Sequence, residues 1–436
     1  MHRASLAALL LAGGTAIHGA TAQEGIAPSR ISATISQSLE ADTNYDLEND
    51  SPGTAYFGDT RLEIGLLRET QTQSFALGLN TALRALDRAD EPFEFTLGSP
   101  TGGLLDYAFE GPNAEFDTLL RYRQTRTDFQ ADLDDFTTEE GFLPDDLSSE
   151  DLESDTREER FDAEIGGTWG TASPSSYTLR FSGTDIGYSD DATDLVPRRF
   201  GQATAAWTLR LNPVLSTIVV GEYYQYDADN AVDTDLRISE IDAGVVYEPD
   251  ENLRLRGGIG YADRVRTETI AGEEVREENT GPTLRGDVLW VRDDFSLVGD
   301  ARLTTAAPET RLSFNLRGVY DLPRGQLIGR AFNRYTGDSG TGTETRVAGF
   351  GLAWERALNT VSAVSFDVAY ADQEFLDLDQ ENTQRTAFTA TYRRDLTPVV
   401  SAEVGYRFLN LIEAVDTDAD SNRVFFRIGR TFETGL

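Results

Sequence analysis

Chemically reactive side chains are scarce in this sequence. Its 436 residues contain no Cys, one Met and two His, and all 38 basic residues are Arg, so that Lys is absent as well. His, Cys and Lys perform most general acid–base and nucleophilic catalysis at neutral pH. The two histidines are His2 and His18, within a segment that we expect to be removed. We therefore predict that the mature chain is not an enzyme and carries no catalytic cofactor.

Positive charge is also in short supply. The chain has 75 acidic residues against 38 arginines, a formal net charge of −37. Proteins bind duplex nucleic acids through cationic side chains that displace counterions from the phosphates. No nucleic-acid partner is therefore expected.

The N-terminus has the pattern of a secretory signal peptide over residues 1–22. Met1-His2-Arg3 is a short basic start, Leu6 to Ala12 is an apolar run, and Ala20-Thr21-Ala22 fits a cleavage site. Beyond it, no stretch approaches the roughly 20 apolar residues of a membrane-spanning helix. The exported chain is thus predicted either to be soluble or to cross a membrane as strands. The domain prediction is a short periplasmic segment at 23–29, a barrel at 30–432 and a C-terminal tail at 433–436.

Beyond Arg30 the dominant pattern is a strict alternation of side-chain character. Leu312, Phe314 and Leu316, for example, alternate with Ser313 and Asn315. This period of two, sustained over segments of about ten residues, is typical of membrane-spanning β-strands. A soluble β-sandwich with one wet face alternates in the same way, so the connections must distinguish the two folds.

The connections favour a barrel, because short turns alternate with longer acidic loops. Asn212-Pro213 is typical of the short class, and Asp263 to Pro282 of the long class. Bacterial outer-membrane barrels have this asymmetry, with tight periplasmic turns and extended external loops. Strand direction requires one more descending strand at Leu105 to Phe109. We predict an all-β fold, a transmembrane antiparallel up-and-down barrel of about twenty strands, with 18 or 16 left open.

Aromatic residues recur where strands run into the short turns. All four Trp of the chain belong to this set. Aromatic side chains of outer-membrane barrels form girdles at the two membrane–water interfaces. The predicted girdle consists of Phe109, Trp169, Trp207, Tyr247, Trp290, Tyr320, Trp354, Tyr392 and Phe432.

Charged residues fall on the parity that would face the lumen. Arg suits such a wall because its planar guanidinium group binds several carboxylates and stays charged. Solvated cross-strand ion pairs that merely hold the wall together are the alternative interpretation. The predicted pore-lining residues are Arg254, Arg256, Arg285, Asp287, Asp300, Arg302, Arg317, Arg330, Asp367 and Glu403.

One acidic loop has the start of a calcium-binding pattern. Asp416, Asp418 and Asp420 alternate as the first ligands of such a loop do, but Arg427 stands where an EF-hand has a bidentate Glu. The sequence therefore predicts at most a weak, loop-bound Ca²⁺ or Mg²⁺ ion at these three residues. The alternative is a solvated acidic loop.

Taken together, these features resemble porin-like bacterial outer-membrane β-barrels, and more loosely the β-barrel porins associated with exopolysaccharide genes. The resemblance rests on Asp42-Thr43-Asn44-Tyr45-Asp46 after the first strand, on hairpins such as Ala205 to Tyr226, and on the last strand with Val424, Phe426, Ile428 and Phe432. It implies a bacterial outer-membrane location, with lipid, lipopolysaccharide and the barrel-assembly machinery as partners.

Three functions are compatible with these observations. The first is a porin-like channel for small hydrophilic solutes, with weak selectivity and a mild cation preference caused by the acidic loops. The second is a conduit for polysaccharide export. The third is a structural or surface-interaction barrel, whose lumen is blocked by the acidic loop Asp128 to Glu159.

Overall fold

The computed structural model describes most of the chain beyond residue 28. The described residues are 29–45, 51, 53–88, 93–126, 157–189, 196–229, 233–270, 272–307, 310–337, 344–376, 382–412 and 418–435. The predicted signal peptide at 1–22, and most of the acidic loop Asp128 to Glu159, lie outside them.

Twenty strands make up the regular structure. In chain order they are β1 (Arg30–Asp42), β2 (Ala55–Glu69), β3 (Gln73–Asp87), β4 (Glu94–Glu110), β5 (Ala114–Arg126), β6 (Arg157–Trp169), β7 (Ser175–Ser189), β8 (Arg198–Asn212), β9 (Leu215–Ala228), β10 (Thr234–Asp250), β11 (Leu253–Ile270), β12 (Glu273–Arg292), β13 (Phe295–Thr304), β14 (Arg311–Leu322), β15 (Gly325–Gly337), β16 (Glu344–Asn359), β17 (Ser362–Phe375), β18 (Thr383–Thr397), β19 (Val400–Ile412) and β20 (Asp418–Gly435).

The strands form one closed antiparallel barrel. Each strand pairs with its neighbours in sequence, and β1 pairs on its other side with β20, from Arg30 opposite Gly435 to Asp42 opposite Arg423. The prediction of an all-β, twenty-stranded antiparallel barrel is confirmed. No helix among the described residues is long and apolar enough to cross a membrane.

The two rims of the barrel differ in their connections. Connections such as 213–214, 251–252, 293–294 and 360–361 define a short-turn edge, where β1 also begins and β20 ends. Several of these turns are closed by the side chain before them: Oδ1 of Asn212 accepts a hydrogen bond from the Val214 amide, and Oδ1 of Asn359 accepts one from Val361, each at 2.9 Å. Such Asx turns explain the Asn and Asp residues at these positions.

The opposite rim, the long-loop edge, differs from the prediction in one place. The segment Asp263 to Pro282, predicted as an external loop, is mostly strand, because β11 continues to Ile270 and β12 starts at Glu273. The many charged residues of this segment obscure the alternation from which strands are predicted, because a strand that extends beyond a membrane need not place apolar side chains on one face. At the other end of the chain, β20 continues through residue 435 and pairs with β1, so residues 433–435 do not form the predicted tail.

Parity separates an inner face from an outer face. Arg285 on β12 reaches Glu222 on β9, past two intervening strands, which only side chains on the concave face can do. The residues of opposite parity include the large exposed apolar side chains, such as Ile259 at 69% and Leu352 at 49% exposure. Charge therefore points inwards and apolar surface points outwards.

Some inward positions hold apolar side chains that pack within the barrel. The Phe425 ring of β20 covers Gly405 of β19, where an added Cβ would lie 2.2 Å from the ring. An inward glycine at Gly351 on β16 has more space, because the nearest atom to an added Cβ is the Val368 carbonyl oxygen at 3.7 Å. Glycine at 405 is thus a packing requirement.

We predict that Gly405→Ala lowers the free energy of unfolding by about 1–3 kcal/mol, the usual cost of overpacking. The matched variant Gly351→Ala should change it much less. Urea unfolding of the refolded protein, followed by intrinsic fluorescence, measures both. Equal stability of the two variants would contradict the packing role.

Candidate functional site

The inner wall is the candidate site, and the structure places the ten predicted residues on it. Each shares its parity with the buried charged side chains and lies opposite another inward residue: Asp287 opposite Asp300, for example, and Arg317 opposite Arg330. Whether they line an open pore remains a prediction.

Four of the ten belong to an ion-pair network at the centre of β9 to β13, and a fifth, Asp300, lies beside it. Nη1 of Arg285 donates to Oε1 of Glu222 at 2.5 Å, and Nη2 of Arg256 donates to Oδ1 of Asp242 at 2.8 Å. Asp242 is only 1% exposed, and Nε of Arg256 also lies 3.5 Å from Asp287. The two arginines thus bind three carboxylates, and the five side chains connect four strands.

The same network continues through Glu240. Its two carboxylate oxygens accept hydrogen bonds from Arg302 and from the Thr283 hydroxyl, the latter at 2.9 Å. Arg302 lies directly opposite Arg285, and Asp300 directly opposite Asp287. Like charges that face each other across two strands are unfavourable, so the carboxylates of β9 and β10 are needed to hold this arrangement together.

The other predicted residues do not join this network. Arg254 pairs with Glu248 near the short-turn edge at 3.5 Å, and Glu403 pairs with Arg427 at 3.7 Å. Arg317 and Arg330 lie side by side on β14 and β15, and Asp367 lies on β17. The structure therefore divides the ten into a central network and a set distributed around the remaining wall.

A second inner cluster, which the sequence analysis did not identify, lies where the barrel closes. Arg423 of β20 is 3% exposed, and its Nε donates to Oδ2 of Asp42 on β1 at 2.9 Å. The other carboxylate oxygen of Asp42 accepts a 2.5 Å hydrogen bond from the Ser421 hydroxyl. These contacts hold the first and last strands together from inside the barrel.

The cluster extends to β2 and β3 through an aromatic ring. Arg84 binds Asp59 with both Nε and Nη2, at 2.8 and 2.9 Å. The guanidinium carbons of Arg84 and Arg423 lie 5.1 and 5.2 Å from the centre of the Phe57 ring. Tyr45, which follows β1, packs edge-on against the same ring at 5.6 Å and accepts a hydrogen bond from Arg84. Tyr45, three residues beyond the end of β1, therefore turns into the lumen.

The predicted girdle residues lie on the outer face near the short-turn edge. They lie on alternate strands, and Trp169 of β6 and Trp207 of β8 flank Tyr177 of the strand between them. Nε1 of Trp207 donates to the Ser175 hydroxyl at 2.9 Å, and Trp290 packs edge-on against Phe295 at 5.4 Å. This outward aromatic row lies where the sequence analysis expected it, and its role at a membrane interface remains a prediction.

Two of the three candidate metal ligands lie among the described residues. Asp416 lies outside the described residues, whereas Asp418 and Asp420 accept hydrogen bonds from the side-chain amides of Asn410 and Asn422, at 2.5 and 3.2 Å. Within the described part of the chain, no three His, Cys, Asp or Glu side chains are grouped to hold a metal ion. The weak Ca²⁺ or Mg²⁺ site therefore stays a prediction.

No protein-family model and no curated protein matches the chain in sequence. Among solved structures it is similar to the copper transporter OprC, with 10% identity over 95% of this chain and 82% of that one and a TM-score of 0.47. It is also similar to the ferric-catecholate import receptor Fiu from E. coli K12 (9% identity, 93% and 81% covered, TM-score 0.47) and to OccAB2 from Acinetobacter baumannii (10% identity, 94% and 100% covered, TM-score 0.37).

Similarities at this level identify neither a family nor a transported solute. They also give no support to the looser resemblance to porins associated with exopolysaccharide genes.

We predict that Asp59→Asn destabilises the barrel by about 3–5 kcal/mol, because it removes the charge of the buried carboxylate to which Arg84 donates from both Nε and Nη2. The matched variant is Asp185→Asn, which breaks the pair with Arg199, at 3.2 Å but largely exposed. That change should cost at most about 1 kcal/mol. Urea unfolding of both refolded variants tests the difference, and similar costs would contradict the assignment of Asp59 to a buried pair.

Proposed function

We propose that this protein is a bacterial outer-membrane barrel that lets small hydrophilic solutes pass with weak selectivity. The observation that carries the proposal is the division of the closed barrel into an apolar outer face and a charged inner face. Export through a cleaved signal peptide, assembly by the barrel-assembly machinery and contact with lipopolysaccharide belong to the same proposal.

The outer face supports a membrane location. Large apolar side chains such as Ile259, Leu352 and Phe350 are 69%, 49% and 53% exposed on the isolated chain. A continuous apolar surface of this extent is unfavourable in water and marks contact with a partner or a membrane. The closed hydrogen-bond ladder also suits a lipid environment, because each of the twenty described strands is hydrogen-bonded to a neighbour on both sides.

The inner face supports passage of polar solutes. Its arginines and carboxylates alternate in sign, as in the network of Glu222, Arg285 and Asp287. A wall with both charges favours water and polar solutes over apolar ones and discriminates weakly between anions and cations. The acidic connections at the long-loop edge should add a mild cation preference.

A structural barrel with a closed lumen is the second candidate. The observation that favours it is the buried cluster around Tyr45 and Phe57, which are 2% and 3% exposed and fill the lumen side of β1 to β3. The loop Asp128 to Glu159, which the sequence analysis considered as a plug, lies mostly outside the described residues.

We predict that the refolded mature protein forms steady ion channels in a planar lipid bilayer. The reversal potential across a salt gradient should show a mild cation preference, because the acidic edge attracts cations. Absence of conductance from protein shown to be folded would contradict the channel and favour the closed barrel. A strong anion preference would contradict the prediction that the acidic loops favour cations.

Two adjacent residues test the membrane face. Leu352 points outwards, whereas Ala353 points inwards, opposite Asp367. We predict that Leu352→Arg destabilises the vesicle-inserted barrel by about 2–4 kcal/mol, the cost of Arg near the bilayer midplane. Ala353→Arg should cost clearly less, since its charge faces the lumen and a carboxylate. Urea unfolding in vesicles measures both, and equal costs would argue against lipid at the outer face.

A further inference from the structure

The hairpin formed by β11 and β12 extends beyond the strands that follow it. β11 and β12 contain 18 and 20 residues, whereas β13 and β14 contain 10 and 12. β12 pairs with β11 from Glu273 onwards, but with β13 only from Thr283 onwards. On the far side, β15 continues to Gly337, although its pairing with β14 stops at Asn333. The barrel wall therefore has a notch above β13 and β14, bounded on one side by residues 273–282 of β12.

Pro282 explains why the ladder between β12 and β13 ends at this level. Proline has no backbone N–H and therefore interrupts a ladder. Its carbonyl oxygen still accepts a hydrogen bond from the Thr305 amide at 3.2 Å. Thr305 also lies against Gly281, where an added Cβ would be 2.3 Å from the threonine hydroxyl oxygen. The β13–β14 connection thus covers β12 as far as Gly281. Within the described part of the chain, residues 273–280 have no partner on this side, and we call them the open edge.

The hydrogen bond at Pro282 also shows which main-chain groups point to the open edge. In an antiparallel strand the N–H and C=O groups of one residue point to the same side, and successive residues alternate. Since the Pro282 carbonyl points away from β11, so do the main-chain groups of every second residue before it. These residues are Glu274, Arg276, Glu278 and Thr280. The open edge therefore presents four donors and four acceptors in a row, which is a template for one more strand.

The side chains of the open edge are exposed and mostly acidic. Residues 273–280 contain four glutamates and one arginine, a formal charge of −3. Arg276 pairs with Glu278 at 3.4 Å, but the two side chains are 60% and 55% exposed, so this pair is solvated. The edge therefore combines a main-chain template with a field that attracts cationic side chains.

We infer that the open edge binds an extended, basic polypeptide segment of another protein, which adds a strand to β12 along the notch. In such strand addition the main-chain hydrogen bonds provide affinity, and the side chains on alternate positions provide specificity. Arginine or lysine opposite Glu274 and Glu278 would form cross-strand pairs of opposite charge. The interaction lies outside the lumen and goes beyond the proposed passage of solutes.

Charge argues against the chain's own remaining segments as the occupant. The parts of the sequence outside the described residues contain no Lys, and Arg3 is their only Arg. Residues 127–156 and 190–195, for example, are acidic and carry no basic side chain. Such segments would place carboxylates beside those of the open edge, which is unfavourable.

A second copy of the chain is unsuitable for a geometric reason. Two copies in one membrane are related by rotation about the membrane normal, so their β12 strands would run parallel with like-numbered glutamates side by side. Charged side chains at strand edges typically prevent this kind of association. A basic strand from a different protein meets neither obstacle.

Binding of a labelled peptide to the refolded full chain in detergent tests the inference without any need for conduction. The probe is an eight-residue peptide in which arginine alternates with threonine or valine, and the control peptide has glutamate in place of arginine. Fluorescence anisotropy should show that the basic peptide binds at least tenfold more tightly than the acidic one. No binding of the basic peptide at low salt, or equal binding of the acidic one, would overturn the inference.

Arg276 supplies a matched pair of variants that separates strand addition from charge attraction alone. Arg276→Gln removes a like charge and should leave binding of the basic peptide equal or tighter. Arg276→Pro has the same charge but lacks the N–H that points to the open edge, and should weaken binding at least tenfold. Proline is tolerated at such a position because the lost donor does not bond β11. Equal binding by the two variants would contradict an added strand.

A second pair of variants locates the charge. Glu274→Gln should weaken binding about threefold, the scale of one exposed ion pair. Glu251→Gln, in an exposed turn at the short-turn edge, should leave it unchanged. Equal losses would show attraction to the net charge of the whole barrel and would overturn the assignment to the open edge.

Hydrogen exchange of the wild type keeps the test independent of variants that do not fold. The bound peptide should slow amide exchange in the fragment that covers residues 273–280, because the free N–H groups become hydrogen-bonded. Unchanged exchange with the peptide bound would overturn strand addition. A dimer of the refolded chain that Arg276→Pro dissociates would place a second copy at the edge and would overturn the choice of partner. A protein that binds the peptide but does not conduct would refute the channel and leave this inference intact.

Discussion

Closure of the hydrogen-bond ladder is the constraint on which the rest of the structure depends. Because β1 pairs with β20 as well as with β2, each of the twenty described strands has a partner on both sides, and an open edge is confined to extensions such as residues 273–282 of β12. Closure also makes the two faces of the sheet different in kind, since one surrounds a lumen and the other meets the surroundings. Each residue's parity then determines whether its side chain needs a polar or an apolar environment.

The charged inner wall follows from that closure. Side chains from strands that are not neighbours meet across the concave face, as Arg285 and Glu222 do, so the charges form networks rather than isolated pairs. Arginine suits these networks because one guanidinium group binds two or three acceptors in fixed directions. At the seam, Arg423, Asp42 and the Phe57 ring use the same chemistry to hold the first strand, the last strand and β2 together.

The lumen is therefore not uniform along its length. The central network pairs its arginines with Glu222, Glu240 and Asp242, whereas the wall nearer the long-loop edge combines arginines with tyrosine and phenylalanine rings.

Local pattern alone predicted about twenty strands, with 18 or 16 left open, together with the turn asymmetry, the outward aromatic row and the inward parity of residues such as Arg256 and Asp300. Alternation and turn chemistry are properties of short segments, whereas only the folded barrel fixed the number at twenty. The tertiary structure decided which inward residues meet. Glu222, Asp59 and Arg84 obey the same parity, but their partners depend on the stagger and curvature of the closed sheet, which no short segment encodes. For the same reason Tyr45 in the lumen and the extension of β11 and β12 into the segment 263–282 became visible only in the folded barrel.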